Sequence, residues 1–288
     1  MLKLDLTDLP PHLRLGTSSF SSTDWRGTFY PEGAPPADFL SHYAETFSTV
    51  EVDATWHHLP SRRTVESWAR KVPEGFVFSL KVPKTITHER YLQDCREEWK
   101  RFLDVLEPLG ERRGPLLFQF PYVAKGKDAD EYETGDDFRR RLAAFLPELP
   151  RDGQYVVEVR NAKWLAEPLL DLLRARGIAL GLAAYYTLPR PADLARRIDP
   201  VTAPFSYLRF LGDHRRMDRM VREARERGER DRDWGALLVD RTAETRDWVA
   251  FARPLVDRQI NLYTYFNNHF AGFAPGSVEV FARAWRDS

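Results

Sequence analysis

Cysteine is nearly absent from this sequence, which contains only Cys95. A single thiol cannot form a disulfide within the chain, so a disulfide-stabilised secreted scaffold is excluded and a reducing cytoplasm is the expected compartment. Cys95 lies in the stretch "LQDCREEWK", at the predicted start of a helix. We interpret it as an incidental thiol and not as a nucleophile.

Long apolar segments are also missing. No run approaches the roughly 20 residues that a membrane-spanning helix requires. The N-terminal stretch "MLKLDLTDLPPHLRLG" is interrupted by charges and by a proline pair, unlike the apolar region of a signal peptide. We therefore predict a cytoplasmic protein with no membrane partner. The sequence does not indicate an oligomeric state.

An excess of charge of one sign is absent as well. The 43 basic residues balance the 43 acidic ones, so the formal net charge is zero. A generally basic nucleic-acid binder is therefore not indicated, although a local basic surface is compatible with this balance.

The motifs of common cofactor sites are missing too. The chain has no Walker loop, GxGxxG or GxSxG motif, so no nucleotide cofactor is indicated. Several histidines follow predicted strands, which leaves a metal open, but neither HExxH nor CxxC supports one. We name no metal ligands and leave the cofactor unknown.

Regular alternation of strand-like and helix-like segments is what the sequence does have. The chain has 288 residues, of which 43% are hydrophobic, enough for a large core. Strand-like runs occur at Leu13–Ser19, Thr49–Thr55, Phe76–Val82, Pro115–Phe120, Tyr155–Arg160, Ile178–Ala183, Ser206–Leu211 and Asn261–Asn267. Amphipathic helical patterns separate most of them. This order predicts an α/β protein, a single (β/α)8 TIM-type barrel over residues 1–288 with its core at about 13–286. A doubly wound open sheet is the alternative.

Three segments interrupt the alternation. Val123–Gly135 is polar and is predicted to be a long loop. Ala184–Pro204 contains too many prolines for a full helix, so an irregular connection is expected between strands 6 and 7. Asp213–Asp233 is almost entirely charged, and we expect a mobile segment or an exposed helix near the barrel mouth.

Acidic residues alternate with apolar ones in the second strand, "STVEVDATWHHLP". If Val50 and Val52 face the helices, then Glu51, Asp53 and Thr55 face the barrel interior. The same parity places further polar side chains inside: Ser79, Lys81, Gln119, Glu158, Arg160, Arg209, Tyr265 and Asn267. Most of them lie toward the C-terminal ends of their strands, where barrel active sites form.

Buried charges of both signs must be paired or used. We predict that Glu51 and Asp53 point toward the mouth, within reach of Lys81, Arg160 or Arg209. The set is interpreted as a functional site, and the alternative is a structural ion network that fills the barrel. Aromatic residues such as Trp25 follow several strands and are candidates for the rim of a pocket.

Several ordered motifs resemble one known family. They are "LRLGTSSF", "FLSHYAETFSTVEVDATW", "GPLLFQFP", "VVEVRNAKW", "YLRFLG" and "YTYFNN", and together they extend from about Leu13 to the C-terminus. The sequence resembles the YecE-like proteins, the domain-of-unknown-function family seventy-two. The resemblance implies a TIM-type barrel but no reaction, since the activity of that family is not established.

The resemblance also bears on the candidate site. The family-like positions are Gly16, Thr17, Trp25, Glu51, Thr55, Lys81, His88, Gln119, Glu158, Arg160, Arg209 and Asn267. This chain departs from the family pattern at Asp53, where Asn is more common, in "WHHLP" and in "RNAKW". The acidic residue that often follows strand 6 is missing from "AAYYTLP". These departures imply a changed substrate preference or an inactive member.

The leading functional hypothesis is an enzyme of the hydrolase, lyase or isomerase class that acts on a small polar or anionic substrate. Glu51, Glu158, Lys81 and Asp53 are the catalytic candidates, because carboxyl groups in a partly dry barrel can exchange protons near neutrality. The substrate-binding candidates are Arg160, Arg209, Gln119, Asn267, Trp25, Thr17 and His88. The alternatives are a nucleic-acid-binding or nucleic-acid-processing protein that uses the Arg-rich segment 213–233, and a ligand-binding barrel without turnover.

Overall fold

Eight parallel strands form the sheet of this protein, as shown by a computed structural model that describes residues 2–124, 134–229 and 231–288. The strands are β1 Leu13–Thr17, β2 Thr49–Val52, β3 Val77–Lys81, β4 Arg113–Gln119, β5 Tyr155–Glu158, β6 Ala179–Ala184, β7 Phe205–Phe210 and β8 Asn261–Phe266. Their order in the sheet is β1-β8-β7-β6-β5-β4-β3-β2. The barrel predicted from the sequence is therefore confirmed, and the open doubly wound sheet is excluded.

Helices follow the strands and cover the sheet. They are α1 Phe39–Ala44, α2 Arg62–Lys71, α3 Arg96–Leu106, α4 Gly135–Phe145, α5 Glu167–Arg174, α6 Pro191–Ala195, α7 His214–Glu226, α8 Thr242–Asp257, α9 Asn268–Ala271 and α10 Ala274–Arg286. Polar side chains cap the N-termini of two of these helices. The Ser61 side chain caps α2, and Thr134 with Asp137 forms a capping box at α4. None of the helices described here is long and apolar enough to span a bilayer.

The irregular connection expected between strands 6 and 7 is present. Its only α-helix among the described residues is the five-residue α6. The charged segment beginning at Asp213 forms the exposed helix α7, which Asp213 caps through the backbone N–H of Arg216. Met217, Val221 and Ala224 anchor α7 with their buried side chains. Of the predicted loop Val123–Gly135, residues 125–133 lie outside the described residues.

Apolar side chains form one layer on each side of the sheet. The outer layer lies between strands and helices and includes Val50, Val52 and Leu208. The inner layer fills the lower barrel with Leu117, Val156, Ala179, Phe205, Tyr207, Tyr263 and Tyr265. This division confirms the parity inferred for β2, because both of its valines face the helices. It also leaves the upper barrel to the polar side chains.

The seam between β1 and β2 lacks the hydrogen-bond ladder that joins the other neighbouring strands, so the barrel is nearly closed. The Tyr43 hydroxyl bridges the gap: it accepts from the Thr17 backbone N–H at 2.8 Å and donates to the Thr49 carbonyl at 3.0 Å. Gly16 permits the close approach, since a Cβ there would stand 2.4 Å from the Thr49 carbonyl oxygen.

Removing this bridge is expected to destabilise the barrel. Tyr43→Phe leaves a buried N–H and a buried carbonyl without their partner, which costs about 1–3 kcal/mol of unfolding free energy. Urea denaturation measures the loss. Tyr263→Phe is the matched control, because the Tyr263 hydroxyl has only a long 3.4 Å contact with Gln154. Equal stability of the Tyr43→Phe and Tyr263→Phe proteins would contradict a role for Tyr43 in closing the seam.

Strand ends differ from the sequence prediction in the upper barrel. β2 ends at Val52, and Asp53–Trp56 forms a 3-10 helix, whereas the alternation predicted a strand as far as Thr55. Arg160 and Asn267 likewise lie beyond the ends of β5 and β8. The alternation continues in sequence past the point where strand pairing stops, which is why it overestimates strand length.

Candidate active site

Arg209 lies at the centre of a buried ion network in the upper barrel. It comes from β7, is 1% exposed, and all three of its side-chain nitrogens donate to carboxylates. Nε and Nη2 bind Glu51 at 2.8 Å each, Nη1 binds Glu158 at 3.0 Å, and Nη2 also binds Asp53 at 3.0 Å. The predicted inward orientation of Glu51 and Asp53 is therefore confirmed, and Arg209 joins β2, β5 and β7 across the barrel.

Glu51 and Glu158 are both fully buried, but their environments differ. Burial raises the pKa of Glu51, and the negative charge of Asp53 adds to the increase, although Arg209 opposes it. Tyr207 also donates to Glu51, at 2.5 Å. For Glu158, burial alone would raise the pKa, but the charges of Arg160 and Arg209 outweigh it and hold the pKa below its ordinary value. Two neighbouring carboxyls thus have opposite tendencies to bind a proton.

Arg160 is the cation beside Glu158. Its Nη2 lies 2.7 Å from Glu158 Oε1, and its guanidinium lies 4.0 Å from the ring centroid of Tyr185. The residue is 8% exposed, yet its Nε and Nη1 are buried without a hydrogen-bond partner among the described residues. Buried donors in native proteins are normally satisfied by protein, water or ligand.

Asp53 and Lys81 form the more accessible layer of the network. Their side chains are 27% and 13% exposed, and Lys81 Nζ lies 3.9 Å from Asp53 Oδ1. Burial lowers the pKa of Lys81, and Asp53 opposes this effect. The Thr55 hydroxyl donates to the Lys81 carbonyl at 2.7 Å, which fixes the turn after β2 against the end of β3.

Trp56 and His88 lie beside Lys81. The Lys81 ammonium is 4.8 Å from the Trp56 ring centroid, and Trp56 Nε1 donates to His88 Nδ1 at 3.3 Å. Burial lowers the pKa of His88 to about 4, and the charges of Lys81 and Arg160 contribute. His88 is therefore neutral near pH 7. Because Nδ1 accepts from Trp56, the remaining proton is assigned to Nε2.

Asn267 lies next to a histidine pair. Its Oδ1 accepts from the His269 backbone N–H at 3.0 Å, where α9 begins, and lies 2.8 Å from His269 Nδ1. His269 Nε2 is 2.9 Å from Asp218 of α7, and the His269 ring stacks on His214 at 4.2 Å. These contacts attach α7 to the end of β8.

Three of the predicted substrate-binding residues use their side chains in contacts within the protein. The Thr17 hydroxyl contacts Tyr43 and the Ser19 carbonyl at the seam. Trp25 is 1% exposed and packs against Phe29, Tyr30 and Phe273. Gln119 Nε2 donates to the Phe120 carbonyl at 2.6 Å. Their substrate-binding roles stay predictions from the sequence, and the geometry adds no support for them.

Two tyrosines, Tyr207 and Tyr185, contact this network although the sequence did not predict these contacts. Tyr207 has the inward parity and binds both Glu51 and Ser79, at 2.5 and 2.6 Å, and the alternation of β7 was a signal that could have found it. Tyr185, one of the aromatic residues after the strands that were candidates for a pocket rim, covers Arg160 and also borders a cavity of about 570 Å³ between the segment after β6, α7 and α8. No sequence pattern indicated that stacking.

The described residues contain neither a cluster suited to a metal ion nor an activated thiol. No group of three or more His, Cys, Asp or Glu side chains in this part of the chain is arranged to hold a metal ion. Cys95 is buried, and burial raises the pKa of its thiol to about 11. A thiol in that state is a poor nucleophile.

The fold and the upper-barrel network define a parallel (β/α)8-barrel protein with a charged site at the C-terminal strand ends. The chain belongs to the family described as "Protein of unknown function DUF72", whose model matches residues 14–288.

Relatives of known structure agree with this assignment. A DUF72 family protein from Thermotoga maritima is 25% identical, with a TM-score of 0.70 over 96% of this chain and 99% of that one. A DUF72 family protein from Enterococcus faecalis V583 is 21% identical, with a TM-score of 0.66 over 96% of each chain. A further relative, the UPF0759 protein YunF of Bacillus subtilis, is 26% identical over 170 residues. The matched region covers 54% of this chain and about half of that relative (56%).

Proposed function

We propose that this protein is an enzyme that acts on a small anionic substrate at the C-terminal mouth of its barrel. The observation that carries the proposal is Arg160, a buried arginine whose Nε and Nη1 lack partners among the described residues. Charged guanidinium N–H groups form strong hydrogen bonds with carboxylate and phosphate oxygens, so an anionic group suits these donors. Lys81 supplies a second cation in the same network.

Asp53 is the best-placed acid–base group in this proposal. It is the most exposed of the three network carboxylates, and Arg209 engages its Oδ1, which leaves Oδ2 for a substrate. Glu51 and Glu158 are fully buried beneath it. They and Arg209 position the upper layer, whereas Asp53 exchanges a proton with the substrate. Hydrolase, lyase and isomerase chemistry all use such an exchange, and the fold does not choose among them.

The cavity beside Tyr185 offers space for the rest of a substrate. It is lined by Tyr185, Tyr186 and Trp248 together with charged side chains of both signs, including Arg216 and Asp213. Arg160, Lys81 and Asp53 do not line this cavity, and Tyr185 separates it from Arg160, so a substrate anchored at Arg160 would reach the cavity past the Tyr185 ring.

Removing the Arg160 charge tests anion binding. Isothermal titration with inorganic phosphate and with pyruvate should show binding to the native protein. Arg160→Met should weaken it about 10- to 100-fold, as expected for charged hydrogen bonds worth ~1.5–3 kcal/mol. Arg197→Met is the matched control, because Arg197 is exposed on the surface and outside the network. Equal affinity in the Arg160→Met and native proteins would contradict the proposal.

Nucleic-acid binding is the weaker alternative. Helix α7 exposes Arg215, Arg219 and Arg222 on one face, and no ion pair involves them among the described residues. Asp218, Glu223 and Glu226 lie on the same helix and reduce its positive potential. This helix alone therefore favours a solvated surface over a phosphate-binding one.

A further inference from the structure

The Lys81 ammonium has few partners for a largely buried charge. Its side chain is 13% exposed, and its polar neighbour Asp53 Oδ1 is 3.9 Å away, beyond hydrogen-bond distance. The Trp56 ring faces the ammonium at 4.8 Å. Within the described residues, no acceptor takes a hydrogen bond from Nζ. A fixed structural cation would normally have closer acceptors, as Arg209 has in the same network.

The surroundings of Lys81 make its ammonium group easier to deprotonate than that of an exposed lysine. Burial lowers the pKa of Lys81 and the charge of Arg209 acts in the same direction, whereas the carboxylates of Asp53, Glu158 and Glu51 oppose this decrease. A lysine becomes a nucleophile when a desolvated or cationic environment lowers its pKa. Asp53 is placed to receive the proton that the ammonium must lose.

We propose that Lys81 is a covalent nucleophile that forms a Schiff base with an aldehyde or ketone substrate bearing a carboxylate or phosphate. This inference rests on the proposed anion site, because Arg160 holds the anionic group while Lys81 reacts with the carbonyl. It names the substrate class that the acid–base proposal leaves open.

The bond changes balance with the groups present. Asp53 takes one proton from the Lys81 ammonium, and the neutral Nζ attacks the carbonyl carbon as the C=O electron pair moves to oxygen. Asp53 returns the proton to that oxygen, which gives a carbinolamine. Asp53 then takes a second proton from nitrogen and delivers it to the hydroxyl. The C–O bond breaks, water leaves, and a protonated C=N bond remains, so no oxidant or reductant is required.

The product fits the charge balance of the site. Glu51, Asp53 and Glu158 face Lys81, Arg160 and Arg209, three charges of each sign. The protonated imine keeps the positive charge that Lys81 contributes. Its electron-withdrawing character makes an adjacent C–H bond acidic, which is a task for the Asp53 carboxylate.

Borohydride trapping tests the proposal. The native protein is incubated separately with pyruvate and with dihydroxyacetone phosphate, reduced with sodium borohydride, and analysed by intact mass and peptide mapping. At least one probe should add the mass of one reduced adduct at Lys81. Lys84 is the internal control, because its side chain is 44% exposed and pairs with Glu89 at 3.2 Å. It should stay unmodified at the same probe concentration.

Variants exclude non-specific labelling and misfolding. Lys81→Arg should abolish the adduct, and Lys81→Met should do the same while circular dichroism shows a native spectrum. Asp53→Asn should slow trapping about 100-fold, the lower range for loss of a general acid–base group. Labelling of Lys84 equal to that of Lys81, or an adduct that persists in Lys81→Arg, would overturn the assignment.

The two proposals fail in different ways. If pyruvate binds the native protein but not Arg160→Met, and no adduct forms at Lys81 with either probe, the Schiff base is wrong and the anion site stands. If neither phosphate nor pyruvate binds and no adduct forms, both proposals are wrong. An adduct at Lys81 whose yield is the same in Arg160→Met would keep the nucleophile and reject the anionic substrate class.

Discussion

Arg209→Met is expected to lower the free energy of unfolding by roughly 3–5 kcal/mol, the range for removing one partner of a buried ion pair. Arg209 donates to Glu51, Glu158 and Asp53, and two of these carboxylates are fully buried. Methionine fills a similar volume but leaves their charges in the barrel without the central cation. Urea denaturation at pH 7 measures the loss.

Two comparisons identify the cause of that loss. Arg197→Met removes an exposed arginine and should change stability by less than about 0.5 kcal/mol. At pH 4 the penalty of Arg209→Met should be smaller than at pH 7, because protonated carboxyls no longer need a cation. An Arg209→Met protein as stable as Arg197→Met at pH 7 would show that the network does not hold the barrel together.

Glu158→Gln and Glu51→Gln should show opposite pH dependence of their effects on stability. The pKa of Glu158 is lowered in the folded protein, so its ionisation contributes stability that is present above the unfolded value of about 4.5 and lost as pH falls through the lower folded value. The penalty of Glu158→Gln is therefore larger at pH 7 than at pH 4. At pH 7 this penalty should approach about 3–5 kcal/mol, the range for removing one partner of a buried ion pair. Glu158 is such a partner, because it faces both Arg160 and Arg209.

The pKa of Glu51 is raised in the folded protein, so its contribution to stability depends on pH in the opposite direction to that of Glu158. Its contribution is fully present below the unfolded value of about 4.5 and is lost as pH rises through the higher folded value. The penalty of Glu51→Gln is therefore larger at pH 4 than at pH 7. Because Glu51 is completely buried and bound by Arg209 and Tyr207, we expect this change to act on stability.

Guanidinium denaturation of the Glu158→Gln, Glu51→Gln and native proteins at pH 4 and pH 7 tests both predictions. Each variant serves as the control for the other, since both replace a fully buried glutamate of the same network by its neutral analogue. Parallel pH profiles would contradict the assigned pKa directions. A Glu51→Gln protein of native stability that loses anion binding would instead make Glu51 part of the binding site.

The parity of polar residues along the strands was predictable, because side-chain alternation is a property of the local backbone. It correctly placed Glu51, Asp53, Glu158 and Arg209 inside the barrel. The proline content of Ala184–Pro204 predicted the irregular connection that contains α6, because a proline inside a helix removes a hydrogen bond and limits helix length. The roles predicted for Trp25 and Thr17 did not come from this alternation but from the family resemblance, and the contacts of these residues are with the aromatic core and the seam.

The sequence by itself determined the barrel, the inward set of charges and their position near the C-terminal strand ends. Only the tertiary structure decided which charges meet: Arg209 from β7 binds carboxylates from β2 and β5, strands that are not its neighbours in the sheet. It also decided that every side-chain nitrogen of Arg209 binds a carboxylate, whereas Arg160 and Lys81 have nitrogens without a hydrogen-bond acceptor among the described residues. The reason is physical, because alternation fixes the face of a side chain, while pairing across a barrel depends on strand tilt, register and closure.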